Sequence, residues 1–227
     1  MDYCDRLIKV IGESNFEKLT KTHVLLVGLG GVGGACFDSL VRSGIGNISV
    51  CDFDVFEETN LNRQLLSNVD TIGLKKVDVA NDYAKKINDI CNIVSIYNKL
   101  TRDNINDIIP SNINYIIDAC DDINVKVALV KYAIENNIKI ISSMGTGNKL
   151  KPELLEITNI WKTNYDPLAK KMRSLLKKEN ISYKLPVVSS RETPIKNGNY
   201  VGSFAPVVNT AGLLLASYVL NDIINKK

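Results

Sequence analysis

Histidine, tryptophan and paired cysteines are scarce in this sequence. The chain has one His and one Trp among 227 residues, and its five cysteines stand far apart without a CxxC pair. Zinc sites in proteins are built from clustered Cys and His ligands. We therefore expect no structural zinc, and free thiols at Cys4, Cys36, Cys51, Cys91 and Cys120.

The chain also lacks a long apolar run and a large excess of charge. We expect no stretch to approach the roughly 20 apolar residues that span a bilayer, and residues 1–6 lead into an amphipathic segment without a signal-peptide core. These features predict a cytoplasmic protein without membrane contact. The net charge of +3 is too small to indicate a nucleic-acid partner, so the grouping of basic residues matters more than their number.

The order of predicted strands and helices indicates one α/β domain. Hydrophobic residues make up 45% of the chain, enough to bury one core. Short β-branched runs alternate with helical patterns, with strands predicted at 23–27, 47–52, 92–97, 113–118, 137–142 and 154–158. Helices are predicted at 31–43, 75–88, 101–109, 123–136, 166–178 and about 207–224, and a polar stretch at 179–203. This is typical of a doubly wound, Rossmann-like, mainly parallel sheet, here with an irregular C-terminal extension.

The single domain, 1–227, divides into three predicted parts. Residues 1–22 form an N-terminal helical arm and 23–147 a nucleotide-binding core. Residues 148–227 form an extension that faces the substrate and a second subunit. The last helix is expected to pack on the sheet or on that second subunit.

A glycine-rich loop follows the first predicted strand. The run Gly28-Leu29-Gly30-Gly31-Val32-Gly33 opens a predicted helix, where backbone amides can bind phosphate. Ligands of open α/β sheets lie beyond the carboxyl ends of the strands. The pattern favours nucleotide binding, and the alternative is that the glycines only let strand and helix approach closely.

The residues after the loop distinguish a triphosphate from a dinucleotide. Asp52 follows Gly33 at about the separation from which an acid reaches a ribose hydroxyl. A pyrophosphate can be neutralised largely by amides and a helix dipole, whereas a triphosphate calls for cations. Arg63 and Lys76 are the candidate cations, although each taken singly could be an ordinary surface residue.

These motifs together resemble the ubiquitin-activating-enzyme-like (ThiF/HesA/MoeB) adenylyltransferases. The matching segments are Gly28–Gly33, Asp52–Asp54, Asn60–Gln64, Gly73–Val77 and Asp118–Asp121. The resemblance implies ATP-dependent adenylation of a carboxylate, with ATP and Mg²⁺ at the site. It also implies an ATP site made of Gly28, Gly30, Gly31, Asp52, Asp54, Asn60, Arg63, Gln64 and Lys76, and Asp121 as the residue that positions the metal.

The catalytic set implied by the resemblance is Arg6, Arg63, Lys76 and Asp121. Arg6 occupies the family's Arg-x-x-x-x-x-Gly start, whose arginine reaches into the site of a neighbouring subunit, so a homodimer is implied. An ordinary surface arginine on a first helix is the alternative for Arg6.

The second half of the chain resembles one branch of this family, which dehydrates threonylcarbamoyladenosine in tRNA. The matching segments are 144–149, 166–173, 187–194 and 202–207, whereas 184–201 looks short and Glu192 lies one place late. The implied reaction adenylates the threonyl carboxylate of a modified adenosine beside the anticodon, and the carbamoyl group then closes a ring with loss of AMP. Such an intramolecular step needs positioning more than an enzyme nucleophile. A sulphur-relay protein is a further partner that this branch admits.

A basic cluster in the second half fits a tRNA substrate. Its members are Lys170, Lys171, Arg173, Lys177 and Lys178, and we expect them to contact phosphates. A solvated helix face is the alternative.

Two other functions share parts of this pattern. An adenylating enzyme for the C-terminus of a ubiquitin-like or sulphur-carrier protein would use the same ATP site, but no cysteine follows Cys120 to receive an acyl group or sulphur. Cys120 itself is predicted to be a packed residue and not a nucleophile. An NAD-binding module is disfavoured by Arg63 and Lys76.

Overall fold

The computed structural model describes residues 3–196, 198 and 200–225, which form one seven-stranded sheet between layers of helices. The strands are β1 (His23–Val27), β2 (Asn47–Cys51), β3 (Asn92–Ile96), β4 (Tyr115–Asp118), β5 (Lys139–Ser143), β6 (Leu155–Asn159) and β7 (Pro186–Ser190). The helices are α1 (Asp5–Ile11), α2 (Glu13–Thr20), α3 (Gly31–Arg42), α4 (Lys76–Lys85), α5 (Ile105–Ile108), α6 (Ile123–Glu135), α7 (Pro167–Lys178) and α8 (Ala205–Ile224).

The strand order places a topological switch at β1. The order across the sheet is β3-β2-β1-β4-β5-β7-β6, and only β6 runs antiparallel, to β7. Val27 of β1 is in register with Cys51 of β2 and with Asp118 of β4. The loops that follow these three strands therefore emerge side by side, where open α/β sheets bind ligands.

The central strand shows that both faces of the sheet are covered. All five residues of β1 are buried. Val24 and Leu26 pack into a core with α3, α4 and α8, whereas Leu25 and Val27 pack into a second core with α5, α6 and α7. This alternation explains the continuous apolar run at 23–27.

The predicted fold class is confirmed, and most element bounds fall within two residues of the prediction. The helix predicted at 101–109 is shorter, Ile105–Ile108. β7 was missed inside the polar stretch 179–203, because it offers only Val187 and Val188 between a proline and two serines. Since β6 and β7 both join the sheet, only the links within the C-terminal extension are irregular.

The last helix is a core helix, as expected. Val208, Ala211 and Leu215 are buried, and a Cβ added to Gly212 would lie 2.2 Å from the Val32 carbonyl oxygen of α3. Among the helices of the described residues, α8 is long and apolar enough to cross a membrane by length and composition. The expectation that no stretch approaches that length was therefore wrong, although a buried core helix passes the same test.

Candidate active site

A large cavity lies at the carboxyl ends of β1, β2, β4 and β5. Its volume is about 910 Å³, within the usual size range of small-molecule sites. The walls include the glycine loop, residues 51–55, Glu57, Asn60, Arg63, Gln64, Lys76, residues 97–100 and 119–122, the loop 143–147, and Val201, Ser203 and Val208. Every residue predicted to bind ATP lines this cavity, as does Asp121.

The glycines of the loop serve two different purposes. A Cβ on Gly33 would lie 1.8 Å from the Gly28 carbonyl oxygen, and Gly28 has φ +91°, so both permit the close turn from β1 into α3. A Cβ on Gly30 would meet no atom within 4 Å. Packing therefore explains Gly33, whereas Gly30 leaves open space in the cavity where a ligand can approach the backbone.

Asp52 is fixed at the floor of the cavity by backbone amides. Its Oδ2 accepts a hydrogen bond from the Leu29 amide at 2.6 Å, and its Oδ1 accepts one from the Asp54 amide at 2.8 Å. Burial raises the pKa of Asp52, and these two amides together with Lys76 act in the opposite direction. Each carboxylate oxygen keeps a second lone pair that can accept a hydrogen bond from a ligand hydroxyl.

Two cationic side chains reach the cavity from the segment after β2. Lys76 is 5% exposed, and its Nζ lies 3.0 Å from Asp54 Oδ2. Arg63 Nη1 donates to the Thr59 carbonyl oxygen at 2.7 Å and to Asn62 Oδ1 at 2.9 Å. The two residues chosen to distinguish a triphosphate from a dinucleotide thus lie together beside the glycine loop, where polyanionic ligands are stabilised.

Two polar side chains complete this wall. Asn60 is buried, and its Oδ1 accepts from the Glu57 amide at 3.2 Å, which fixes the short 3₁₀ helix Glu58–Asn60. Gln64 is also buried, and its Oε1 has no hydrogen-bond partner among the described residues. An unsatisfied buried polar atom is costly. Gln64 lines the cavity, but this oxygen is itself shielded from solvent.

Asp121 is an exposed carboxylate on the opposite wall. Within the described residues there is no group of three or more His, Cys, Asp or Glu side chains that could hold a metal alone. Mg²⁺ at nucleotide sites is usually held by one or two carboxylates together with phosphate oxygens. A single carboxylate at this position fits that mode of binding.

The sequence analysis missed a buried ion pair behind Asp121. Lys126 and Asp118 are both fully buried, and Lys126 Nζ donates to both carboxylate oxygens, at 3.0 and 3.1 Å, and to the Ser143 carbonyl oxygen at 2.8 Å. Burial alone would lower the pKa of Lys126, but Asp118 together with Cys120 and Asp121 outweighs it, and the net direction is upward. The pair joins the ends of β4 and β5 beneath the cavity, and no periodicity signalled it.

A second buried pair fixes the loop after β5. Lys149 Nζ lies 3.1 Å from Asp166 Oδ2 and 2.5 Å from the Gly145 carbonyl oxygen. Asp166 also caps α7 by accepting from the Ala169 amide. The sequence analysis noted Lys149 and Asp166 in separate segments and could not pair them.

The cysteines agree with the predicted free thiols. All five are unpaired by disulfides, and four are buried. Cys120 Sγ lies 3.1 Å from Asp118 Oδ1, and burial, with Asp118, raises the pKa of its thiol well above the usual value. Because the thiolate is the reactive form, this environment suits a packed residue.

The remaining predicted site residues lie outside the cavity. Arg6 is exposed on α1 and does not line it. Arg173 is half-buried, and one nitrogen of its guanidinium, Nη1, donates to the carbonyl oxygens of Ile160 and Thr163. The other four residues of the basic cluster are exposed at spacings of one and seven, which puts them on one face of α7. We call Lys170, Lys171, Lys177 and Lys178 the lysine stripe.

A sheet with this switch point, and a glycine loop and two cationic residues that line one cavity, is typical of a nucleotide-binding protein. The chain belongs to the ThiF family, which it matches over residues 3–227. It is 34% identical, over an alignment of 232 residues, to the tRNA threonylcarbamoyladenosine dehydratase of Bacillus subtilis, covering 94% of this chain and 91% of that protein. The Escherichia coli protein of the same name is 34% identical over 171 residues, 75% of this chain and 64% of the relative.

Solved structures agree with these relatives. The fold superimposes on the crystal structure of E. coli TcdA in complex with ATP with a TM-score of 0.91 at 31% identity, covering 96% of this chain and 91% of that one. The yeast adenylyltransferase and sulfurtransferase UBA4 is 34% identical over 149 residues, but these span 66% of this chain and 34% of that protein. The likeness covers 94% of this chain for the B. subtilis dehydratase and 96% for the E. coli TcdA structure, against 66% for UBA4.

Proposed function

We propose that this protein is an ATP-dependent tRNA threonylcarbamoyladenosine dehydratase. The observation that carries the proposal is that Arg63, Lys76 and the open backbone at Gly30 line one cavity, in a chain that aligns with a dehydratase over 94% of its length. The cations and amides meet the charge of a triphosphate, and the likeness covers the substrate half as well as the ATP half.

The ATP site would work by charge neutralisation. Gly28, Gly30 and Gly31 would cradle the phosphates, and Asp52 would accept hydrogen bonds from the ribose. Arg63 and Lys76 would stabilise charge at the α-phosphate, with Asn60 and Gln64 as polar contacts. Fixed donors and cations aimed at developing charge are the main source of catalysis in phosphoryl and nucleotidyl transfer.

Asp54 and Asp121 would act beside the phosphates in different ways. Asp54 holds Lys76 at 3.0 Å, so its role would be to direct the ammonium toward the ligand. Asp121 would hold Mg²⁺ together with phosphate oxygens. The metal would supply further neutralisation of the triphosphate.

The proposed reaction has two steps, adenylation and ring closure. A threonyl carboxylate oxygen attacks the α-phosphorus of ATP, and pyrophosphate leaves. A nucleophilic atom of the carbamoyl group in the same side chain then attacks the activated carbonyl carbon, AMP leaves and a five-membered ring closes with loss of a proton. The net result is removal of one water from the modified nucleoside, and no cysteine nucleophile is needed.

Several finer features belong to the same proposal. The lysine stripe would bind tRNA phosphates, and Arg6 would reach the site of a partner subunit in a homodimer. The arm 1–22, the core 23–147 and the extension 148–227 would divide these tasks within one domain. The protein would act in the cytoplasm, with a sulphur-relay protein as a further partner.

The decisive experiment supplies the protein with tRNA carrying threonylcarbamoyladenosine, ATP and Mg²⁺, followed by nucleoside mass analysis. We expect a nucleoside lighter by one water, with AMP and pyrophosphate as coproducts. The Lys76→Met variant should lose this activity and remain folded, whereas Lys85→Met serves as the matched control, because Lys85 lies at the other end of α4, is exposed and does not line the cavity. An adenylated carrier protein, with tRNA left unchanged, would instead support the carrier-protein alternative.

A further inference from the structure

A short segment that precedes α8 lines the cavity. Val201, Gly202 and Ser203, here called the mouth segment, precede α8, and both Val201 and Ser203 line the cavity. A Cβ on Gly147 would lie 2.4 Å from Val201 Cγ1, so the absence of a side chain at Gly147 lets the segment close against the loop after β5.

Asn148 fastens one end of this segment. Its backbone amide donates to the Gly202 carbonyl oxygen at 2.9 Å, and the Gly202 amide donates back to Asn148 Oδ1 at 2.6 Å. Asn148 has φ +57°, a left-handed conformation that Asn tolerates better than most residues. The buried Lys149–Asp166 pair holds the loop next to Asn148, so Asn148 has a fixed position.

Ser203, at the other end of the segment, contacts the loop that carries Arg63. Asn62 Nδ2 donates to the Ser203 carbonyl oxygen at 3.3 Å, and Asn62 Oδ1 accepts from Arg63 at 2.9 Å. The mouth segment therefore bridges the loop that carries Gly145–Gly147 and the loop that carries Arg63. An activated carbonyl held between these walls would lie beneath it.

We propose that Asn148 is a positioning residue that holds the mouth segment over the acyl-adenylate and so favours ring closure over hydrolysis. The inference rests on the proposed function. In the competing reaction a water oxygen attacks the carbonyl carbon, the bond to the phosphate oxygen breaks, and AMP and the original threonyl carboxylate are formed with release of a proton. Exclusion of water protects such reactive intermediates, and an intramolecular attack gains from a held geometry.

The test is the ratio of AMP to cyclic nucleoside formed by Asn148→Gly. Glycine adopts the same backbone conformation without strain, so this variant removes the side-chain hydrogen bond and keeps the backbone one. We expect AMP released without cyclic product to rise about fivefold, the factor that one ordinary hydrogen bond contributes to an equilibrium. In heavy-oxygen water the label should enter the threonyl carboxylate, whereas direct hydrolysis of ATP would place it in AMP or pyrophosphate.

The matched control is Asn137→Gly. Asn137 has φ +53° and lies exposed in the turn between α6 and β5, away from the cavity, so its substitution should keep the wild-type ratio. An Asn148→Gly protein with the wild-type ratio, or with AMP and cyclic product reduced in proportion, would overturn the inference. A wild-type protein that forms no cyclic nucleoside would overturn the proposed function and this inference with it.

Discussion

Replacing Lys126 tests whether the buried ion pair beneath the cavity holds the strand ends together. The Lys126→Met variant removes an ammonium that contacts both Asp118 oxygens and the Ser143 carbonyl oxygen. Methionine fills a similar volume, so the variant leaves little cavity. What it does leave is the Asp118 carboxylate, fully buried, with hydrogen bonds from the amide and thiol of Cys120.

The expected loss of stability is large. Removing one partner of a buried pair costs about 3–5 kcal/mol, because the other charge stays buried without its counter-charge. For a chain of this size each kcal/mol shifts the Tm by roughly 2–4 °C. We therefore expect the Tm to fall by about 6–20 °C.

Urea unfolding followed by circular dichroism measures this loss, with two companion variants. Lys21→Met breaks the exposed Lys21–Glu17 pair, whose side chains are 73% and 64% exposed, and should change stability by less than about 1 kcal/mol. Lys126→Met/Asp118→Asn removes both charges and should recover most of the loss. A single Lys126→Met variant as stable as the Lys21→Met control would refute the reasoning.

Three further predictions concern the cavity, the lysine stripe and the core. Gly30→Ala should fold with an unchanged Tm but bind ATP at least about tenfold more weakly in calorimetry, because its methyl meets only cavity space; Gly33→Ala, whose Cβ would meet a carbonyl oxygen at 1.8 Å, should fail to fold. Neutralising the lysine stripe should weaken tRNA binding and reduce the slope of log affinity against log salt concentration by roughly 0.7–0.9 for each lost phosphate contact, with ATP affinity unchanged. An unaltered slope would show that the stripe is a solvated helix face. Burial lowers the pKa of His23 below 6.5, so the unfolded chain binds the proton first and the free energy of unfolding should fall as pH drops below about 6.5. In unfolding titrations at pH 7 and pH 5, His23→Gln should lose less stability between the two pH values than the wild type. An equal loss in both proteins would contradict this prediction.

Local signals were enough to predict which residues after β1, β2 and β4 meet at one cavity. The glycine loop, Asp52 and the Asn60–Gln64 segment each follow a strand, and parallel strands bring such residues to one edge regardless of their distance in the chain. The sequence order therefore carried enough information to place Lys76 and Asp121 at the same cavity. This prediction needed only the order of the strands and motifs along the chain, and no knowledge of side-chain contacts.

Contacts that join distant segments could not be predicted in this way. The pairing of Lys149 with Asp166 depends on how the loop after β5 meets α7, and nothing local distinguishes a buried lysine from an exposed one. Arg173 shows the same difficulty, because nothing local indicated that its Nη1 donates to carbonyl oxygens of the segment before α7. β7 was missed for a related reason, since Ser189 and Ser190 are polar yet buried between β5 and β6.

The location of the two buried ion pairs bears on why they are present at all. A buried pair is often no more stabilising than apolar residues of the same volume, so stability alone does not explain Lys126–Asp118 or Lys149–Asp166. Each lysine instead contacts a carbonyl oxygen of the loop that forms the cavity wall, at Ser143 and at Gly145. An ammonium surrounded by fixed oxygens allows few alternative arrangements, whereas apolar side chains in the same space can repack. We therefore expect Lys126→Met/Asp118→Asn to be close to the wild type in stability and clearly slower in turnover, because the walls that must hold ATP and the acyl group would lose their single fixed geometry.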